Sequence, residues 1–254
     1  LFPVAKKLSE KMGAEIYYDF HNVEYELITE HRSDLVGKWR KFQMRKREKK
    51  ATEKSEESFC CSERDRELLW NIPNVIPNAI NLENYSEDYE RPEEYEDGKI
   101  ALFLGVMRYQ PNVEAARNIE RIAKDMPEWS FFLVGRKPSE EVLEIGDRNE
   151  NITVTGEVEK VAPHLQHADI CMAPLDSGSG TRLKILEYLA YQKPVISTSK
   201  GAEGLEDIDS VSILDKYENY PEEMEKLEGS RGSIPEKYTY KGVHKKLEKL
   251  LVEN

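Results

Sequence analysis

The chain has 254 residues, of which 39% are hydrophobic, and its 37 basic and 49 acidic residues give a formal net charge of -12 at pH 7. This composition is typical of a folded protein of one large or two small domains rather than a disordered one. The acidic balance argues against a general nucleic-acid binder. No apolar run approaches the roughly 18–20 residues that span a bilayer, and the first residues do not form a signal peptide.

The three cysteines, Cys60, Cys61 and Cys171, all lie in apolar, strand-like runs. Their spacing does not suit zinc, so we expect core thiols in a reducing, cytoplasmic compartment. The chain opens directly into a helical pattern that Gly13 would end. This opening is typical of the middle of a protein, and we expect the start of an N-terminal domain to lie upstream.

The first third of the chain alternates apolar runs with helical patterns. Strands are predicted over residues 14–20, 58–62 and 74–76, and helices over residues 2–12, 24–57 and 63–70, the long one broken near Gly37. An acidic stretch follows, in which eight of the fifteen residues from position 83 to position 97 are Asp or Glu. We interpret residues 78–98 as a solvated linker after a partial N-terminal α/β domain of residues 1–77.

A second series of elements follows the linker. Strands are predicted over residues 99–106, 130–135, 152–155, 170–173, 194–198 and 211–214, and helices over residues 112–124, 139–145, 161–167, 181–191, 217–227 and 240–252. Apolar strands that alternate with helices predict a parallel sheet covered on both faces. The predicted fold is therefore α/β, with a doubly wound domain over residues 99–235 and a C-terminal helix within residues 236–254.

A glycine-rich turn, SGSGTRLKILE over residues 177–187, joins one of these strands to the next helix. Its glycines allow the backbone to approach a ligand closely. Arg182 and Lys184 lie in the first helical turn, where cations oppose the helix macrodipole. An external anion such as a phosphate explains this arrangement. An ordinary glycine turn with two solvated basic side chains is the alternative.

Glu187 is about one helical turn beyond this anion site, on the same side of the helix as Lys184. A carboxylate at this position could accept hydrogen bonds from the hydroxyls of a ribose. The alternative is a surface ion pair between Lys184 and Glu187, worth about 0.2–0.5 kcal/mol.

An ordered set of segments resembles the retaining GT-B glycosyltransferases of the family-4 type, the glycosyl transferases group 1. Residues 178–206 resemble their nucleotide-sugar site, and residues 76–81 (IPNAIN) resemble their inter-domain crossing. Residues 104–112 (LGVMRYQPN) resemble the first loop of their second domain, and residues 133–136 and 154–156 also fit. Together these segments cover most of residues 74–206, and they imply a GT-B fold.

The resemblance implies a donor site for a nucleoside diphosphate sugar. The residues that would bind the donor are Gly178, Ser179, Gly180, Thr181, Glu187, Arg108, Arg136 and Glu203. Ser179 stands where the family has the first of two glutamates, and the first loop offers only Arg108 in place of the usual Arg and Lys. For Glu203, an acid that merely stabilises a turn is the alternative.

The implied catalytic residues are Arg182, Lys184 and His21. The cations would stabilise the departing diphosphate as its charge develops. His21 follows a strand in a segment, DFHNVE, that resembles the part of the family facing the inter-domain cleft, where it would contact the donor sugar or the acceptor. A structural histidine at a strand end is the alternative.

The implied activity is transfer of a hexose from a nucleoside diphosphate sugar to a hydroxyl of a glycan or lipid-linked acceptor, with retention. Neither a metal nor another cofactor is implied, and nucleic acid is not expected as a partner. The alternatives are a non-catalytic or truncated nucleotide-sugar-binding fragment and a GT-B epimerase. An epimerase would need acid and base carboxylates at the sugar.

A basic segment over residues 38–50 holds eight Lys or Arg residues, with Trp39 and Phe42 between them. Such a segment could touch anionic lipid or a lipid-linked acceptor, as a peripheral membrane contact. The solvated face of a long helix is the alternative.

Overall fold

The computed structural model describes residues 2–31, 34–70, 73–95, 98–178 and 183–252, which divide into two compact units. Unit 1 contains the described part of residues 1–78 together with residues 245–252. Unit 2 contains the described part of residues 79–178 together with residues 183–244. Among the described helices, none has both the length and the apolar character needed to cross a bilayer.

Unit 1 is built on a three-stranded parallel sheet in the order β1-β2-β3. The strands are β1 (Tyr17–Phe20), β2 (Glu57–Cys60) and β3 (Asn74–Val75). The helices are α1 (Phe2–Met12), α2 (Glu24–His31), α3 (Leu35–Lys54) and α4 (Glu63–Leu68). A small core of buried side chains holds these elements together, and it includes Phe20, Val23, Tyr25, Ala51, Cys60 and Leu69.

The predicted long helix is two helices, and the break lies before Leu35 rather than near Gly37. Asp34 is the N-cap of α3, and its side chain accepts a hydrogen bond of 2.7 Å from the backbone N–H of Gly37. An acidic N-cap satisfies an otherwise unpaired donor and starts a new helix. Gly37 is buried inside the first turn of α3, so the predicted break exists but lies a few residues before this glycine.

Unit 2 is built on a six-stranded, all-parallel sheet in the order β6-β5-β4-β7-β8-β9. The strands are β4 (Lys99–Leu104), β5 (Trp129–Val134), β6 (Ile152–Gly156), β7 (Ile170–Ala173), β8 (Val195–Ser197) and β9 (Val211–Ile213). The helices are α5 (Gln110–Ala123), α6 (Glu140–Asp147), α7 (Ala162–His167), α8 (Leu183–Ala190), α9 (Tyr220–Leu227) and α10 (Tyr240–Val252), the last of which continues into the residues assigned to unit 1.

Both faces of the larger sheet are buried, which confirms the predicted doubly wound architecture. Along β4, Ala101 and Phe103 belong to one apolar core, whereas Ile100 and Leu102 belong to the core on the opposite face. Alternate residues of a strand point to opposite faces. A strand buried on both sides therefore reads as a continuous apolar run, which is the pattern that identified it in the sequence.

The strand order of unit 2 reverses between β4 and β7. The connections that follow these two strands run to opposite sides of the sheet, and a crevice opens between them at the carboxyl edge. This topological switch point is where open α/β sheets bind their ligands.

The acidic stretch before β4 packs against unit 2 in its described part. Tyr95 is buried, and the centre of its ring lies 4.2 Å from the centre of the Phe132 ring. The hydroxyl of Tyr95 donates to the carbonyl of His164. The backbone N–H of Tyr89 donates to Oε1 of Gln166 across 2.7 Å. Residues that the acidic composition marked as solvated therefore contribute a buried aromatic side chain to unit 2.

Candidate donor-binding site

The loops after β4 and β5 form a tightly joined rim at the carboxyl edge of the larger sheet. The N–H of Gly105 donates to the carbonyl of Val134, and the N–H of Met107 donates to the carbonyl of Arg136, each across 3.0 Å. Gly135 has a φ of +144°, and a Cβ on it would lie 1.8 Å from the carbonyl oxygen of Gly105. Only glycine allows this approach of two backbones.

Lys184, in the first turn of α8, points to the switch point. Its Nζ donates to Oδ1 of Asn112 across 3.1 Å and lies 4.3 Å from the centre of the Phe103 ring. The Nδ2 group of the buried Asn112 donates to the carbonyl of Val106, which fixes the orientation of the amide. The ammonium of Lys184 is thus held in place by an oriented amide and a ring face.

A second positive feature lies beside this ammonium. Asn112 belongs to the first turn of α5, a helix of 14 residues that starts without a side-chain N-cap hydrogen bond. The macrodipole gives the N-terminus of a helix a partial positive charge. At α5 this charge is not a row of free donors, because Pro111 has no N–H and the N–H groups of Asn112 and Val113 donate to the carbonyl of Tyr109. A lysine and a helix N-terminus in one place repel each other slightly, and an anion such as a diphosphate would stabilise both.

Glu187 lies one turn further along α8 and is half-buried. Burial raises the pKa of its carboxyl group, whereas the charge of Lys184 lowers it. The next residue, Tyr188, is fully buried, and its hydroxyl accepts a hydrogen bond of 2.8 Å from the N–H of Leu104. This bond ties α8 to the end of β4 and so fixes the register that presents Lys184 to the crevice, whereas Glu187 lies near Tyr85 and Tyr191.

The loop after β7 is held by α5. Nδ2 of the buried Asn118 donates to the carbonyl of Pro174, and the hydroxyl of Ser177 donates to Glu114 Oε2 across 2.6 Å. Gly178 follows with a φ of +99°, a conformation that favours glycine. Four of the predicted site residues, Ser179, Gly180, Thr181 and Arg182, lie outside the described residues.

The remaining predicted donor residues lie on loops of the same sheet edge. Arg108 and Arg136 have exposed side chains on the joined rim. Glu203 lies in the loop after β8 and pairs with Lys200, with 2.7 Å between Oε2 and Nζ. In the part of the chain that the structure describes, no three His, Cys, Asp or Glu side chains are arranged to hold a metal ion.

His21 belongs to unit 1 and lies in the loop after β1. Its Nε2 is 3.4 Å from Oδ2 of Asp19, and both side chains are exposed. The two residues line a cavity of about 1010 Å³ whose wall also includes Phe2, Tyr18 and Lys6.

Sequence reasoning missed Asn112 and Tyr188 as parts of the site. A signal for Asn112 was present, because a buried amide within the apolar face of α5 needs partners. The glycine at position 105 is a second signal for the same site, because a Cβ at this position would lie 2.6 Å from Nδ2 of Asn112. Tyr188 reads as an ordinary apolar residue of α8, and its hydroxyl partner is a backbone group that no sequence motif marks.

The fold is a doubly wound α/β domain that places the ammonium of Lys184 at its switch point. Residues 98–226 match the family model described as glycosyl transferases group 1. The chain belongs to this family, as its motifs predicted. No curated protein sequence matches the chain.

Solved structures share the fold at low sequence identity. Sucrose-phosphate synthase from Thermosynechococcus elongatus is 13% identical with a TM-score of 0.65, over 98% of this chain and 70% of that one. Anabaena HepE, in complex with UDP and glucose, is 13% identical with a TM-score of 0.65, over 89% of this chain and 65% of that one. WaaG, a glycosyltransferase involved in lipopolysaccharide biosynthesis, is 16% identical with a TM-score of 0.62, over 88% of this chain and 71% of that one.

These similarities show the fold, and the predicted GT-B type is confirmed. The chain spans 65–71% of the lengths of these three proteins and 43% of TarM, another similar structure.

Proposed function

We propose that this chain carries the donor site of a glycosyltransferase that transfers a hexose from a nucleoside diphosphate sugar to an acceptor hydroxyl with retention. One observation supports this most directly. The ammonium of Lys184 is held against Asn112 at the switch point of a doubly wound sheet, in a chain that belongs to a glycosyltransferase family. We place the reaction in the cytoplasm and assign it neither a metal nor another cofactor.

In this proposal the diphosphate of the donor lies between Lys184 and the N-terminus of α5. Both groups are positive and are fixed before the ligand arrives, so they stabilise the charge that develops on the leaving diphosphate without reorganising. Arg182 and the glycine turn would add to this stabilisation. The carboxylate of Glu187, one turn along α8, accepts hydrogen bonds from the ribose hydroxyls.

The donor base is proposed from the ligands of two similar structures, and the acceptor from the cavity of unit 1. HepE was solved with UDP and glucose, and the pneumococcal O-GlcNAc transferase GtfA with UDP and GlcNAc. We therefore place uridine donors first. For the acceptor we propose the cavity of unit 1, where Phe2 and Tyr18 offer apolar surface and Lys6 and Lys7 offer charge. The lining also includes Glu10, Asp19, Glu24 and Glu48, so a polar acceptor such as a glycan or a lipid-linked sugar fits it.

A thermal-unfolding screen of this chain with UDP, GDP, ADP and dTDP tests the donor site. A nucleotide present at about 100 times its Kd should stabilise the folded state by about 2.7 kcal/mol and raise the unfolding midpoint of unit 2. Inorganic phosphate at the same concentration is the control. An unchanged midpoint with all four nucleotides would contradict the proposal.

Release of free sugar or transfer to an acceptor then separates an enzyme from a binding module. A module that only binds would show the midpoint shift without turnover of the donor.

A further inference from the structure

The outward face of α3 in unit 1 combines exposed apolar side chains with cations. Leu35 is 84% exposed, Trp39 is 63% exposed and Phe42 is 53% exposed. These residues are spaced at i, i+4 and i+7, so they form one line along the helix. We call this line, with the cations beside it, the α3 face.

The opposite side of α3 already packs against unit 1. Its buried residues are Gly37, Glu48, Ala51 and Thr52. The oxygens of Glu48 accept hydrogen bonds from the N–H groups of Glu24 and Tyr25, which join α3 to the start of α2. The described core of unit 1 therefore uses the side of α3 opposite to the α3 face.

Cations lie on both sides of the apolar line. The exposed ones beside the line are Lys38, Lys46 and Lys50, and Lys50 also borders the cavity of unit 1. The Nζ of Lys46 is 4.7 Å from the centre of the Phe42 ring. Two further lysines of the helix are paired with acids, Lys41 with Glu26 and Lys49 with Glu53.

The charge of this face is opposite to that of the molecule. The whole chain has a formal net charge of -12, whereas residues 38–50 hold eight basic residues and one acid. An anionic surface is therefore repelled by most of the protein and attracted at this helix, which orients the approach.

We propose that the α3 face docks unit 1 on an anionic lipid bilayer. Leu35, Trp39 and Phe42 enter the boundary between headgroups and acyl chains, and the flanking lysines and arginines contact the anionic headgroups. Trp is well suited to this boundary because its ring is apolar and its N–H is polar. Nucleic acid would use the cations, but it gives no reason for an exposed aliphatic side chain such as Leu35 in line with the aromatic rings.

This inference goes beyond the proposed transfer reaction, and its test needs no sugar donor. The chain is sedimented with vesicles of phosphatidylcholine, with and without phosphatidylglycerol. It should bind the anionic vesicles, bind the neutral ones poorly, and lose affinity as salt screens the charges. A wild-type chain that does not sediment with anionic vesicles at low salt overturns the proposal.

Two sets of variants separate the apolar and the charged contributions. Lys46→Gln with Lys50→Gln should weaken binding about 25-fold, at about five-fold for each cation that leaves the surface. Trp39→Ala with Phe42→Ala should abolish stable binding and leave only weak, salt-sensitive association. Matched controls on α10, Lys241→Gln with Lys246→Gln and the exposed Tyr240→Ala, should bind as the wild type does.

Fluorescence gives a readout that does not depend on sedimentation. Trp39 is exposed, whereas Trp70 is half-buried against Tyr25 and Trp129 is fully buried. Entry of Trp39 into the bilayer should therefore shift emission to the blue and allow quenching by brominated lipid. Both signals should disappear in Trp39→Phe, which keeps the apolar contact and the binding. Equal quenching in Trp39→Phe, or retention on double-stranded DNA without vesicle binding, would overturn the assignment to lipid.

Discussion

The Nζ of Lys184 donates to the buried amide oxygen of Asn112 across 3.1 Å, which joins the first turn of α8 to the first turn of α5. The amide is fixed in turn by its bond to the carbonyl of Val106. The cation therefore has its position before any ligand arrives. Preorganisation of this kind lowers the entropic cost of binding.

The first prediction concerns this cation. Lys184→Ala should weaken nucleoside diphosphate binding about 10- to 100-fold, the range expected for a charge-assisted hydrogen bond. Combined with Arg182→Ala, it should abolish binding in calorimetry. Lys226→Ala on α9, where Lys226 pairs with Glu222, is the matched control and should bind normally. Unchanged affinity of the double variant would contradict the assignment of the diphosphate to this site.

Glu187 should distinguish a nucleotide from its diphosphate part. Because its carboxylate is assigned to the ribose, Glu187→Ala should weaken the nucleotide about ten-fold or more and leave free pyrophosphate almost unaffected. Calorimetric titrations with both ligands measure the difference, with the exposed Glu144→Ala on α6 as the control. Equal losses for the two ligands would argue against a ribose contact.

The hydroxyl of Tyr188 should matter for stability. Tyr188→Phe leaves the N–H of Leu104 without this partner in a buried position, at a cost of about 1–3 kcal/mol. Urea unfolding should show a lower midpoint with an unchanged m-value. Tyr240→Phe, which alters an exposed tyrosine, should leave the midpoint where it is. A stability for Tyr188→Phe equal to that of the control would mean that the bond contributes little.

Glu48 should make the stability of unit 1 depend on pH. Burial raises the pKa of its carboxyl group from 4.5 to about 7, although the bonds from the N–H groups of Glu24 and Tyr25 lower it. A raised folded-state pKa favours the protonated form on folding. Its contribution is therefore complete below about pH 4.5 and is lost as the pH rises through 7, by up to about 3 kcal/mol.

Glu48→Gln should remove this dependence. Urea unfolding of the variant between pH 5 and pH 8, followed by a probe in unit 1, should give a flatter profile than that of the wild type. Glu53→Gln is the matched control, because it alters a more exposed acid of the same helix. A wild-type profile that is equally flat over this range would refute the assignment.

Much of unit 2 could be predicted because its signals are local. Strand β7 has the predicted bounds, Ile170–Ala173, since a short apolar run between a helix end and Pro174 leaves little choice. Helix α10 likewise has the predicted bounds, Tyr240–Val252. The position of Lys184 beyond the carboxyl end of β7 was also predictable in outline, because this residue closely follows that strand in the sequence.

What could not be predicted depends on contacts between distant residues. Asn112 and Lys184 are 72 positions apart, and only the sheet order brings them together. The burial of Tyr95 was hidden by the acids around it, because a count of charges does not show which face a ring takes. The start of α3 had a local signal in the sequence, because Asp34 is a typical N-cap residue. Gly37, a typical helix breaker, competed with this signal.

The distance along the chain between Asn112 and Lys184 also has a consequence for folding. A contact over 72 positions forms only after a long segment has been ordered, because the entropy of closing so large a loop must be overcome first. A nascent chain that ends before α8 lacks both Lys184 and Glu187, so it is expected to bind a nucleotide more weakly than the complete unit 2 does. Capture on an immobilised nucleotide would therefore select chains in which unit 2 has finished folding.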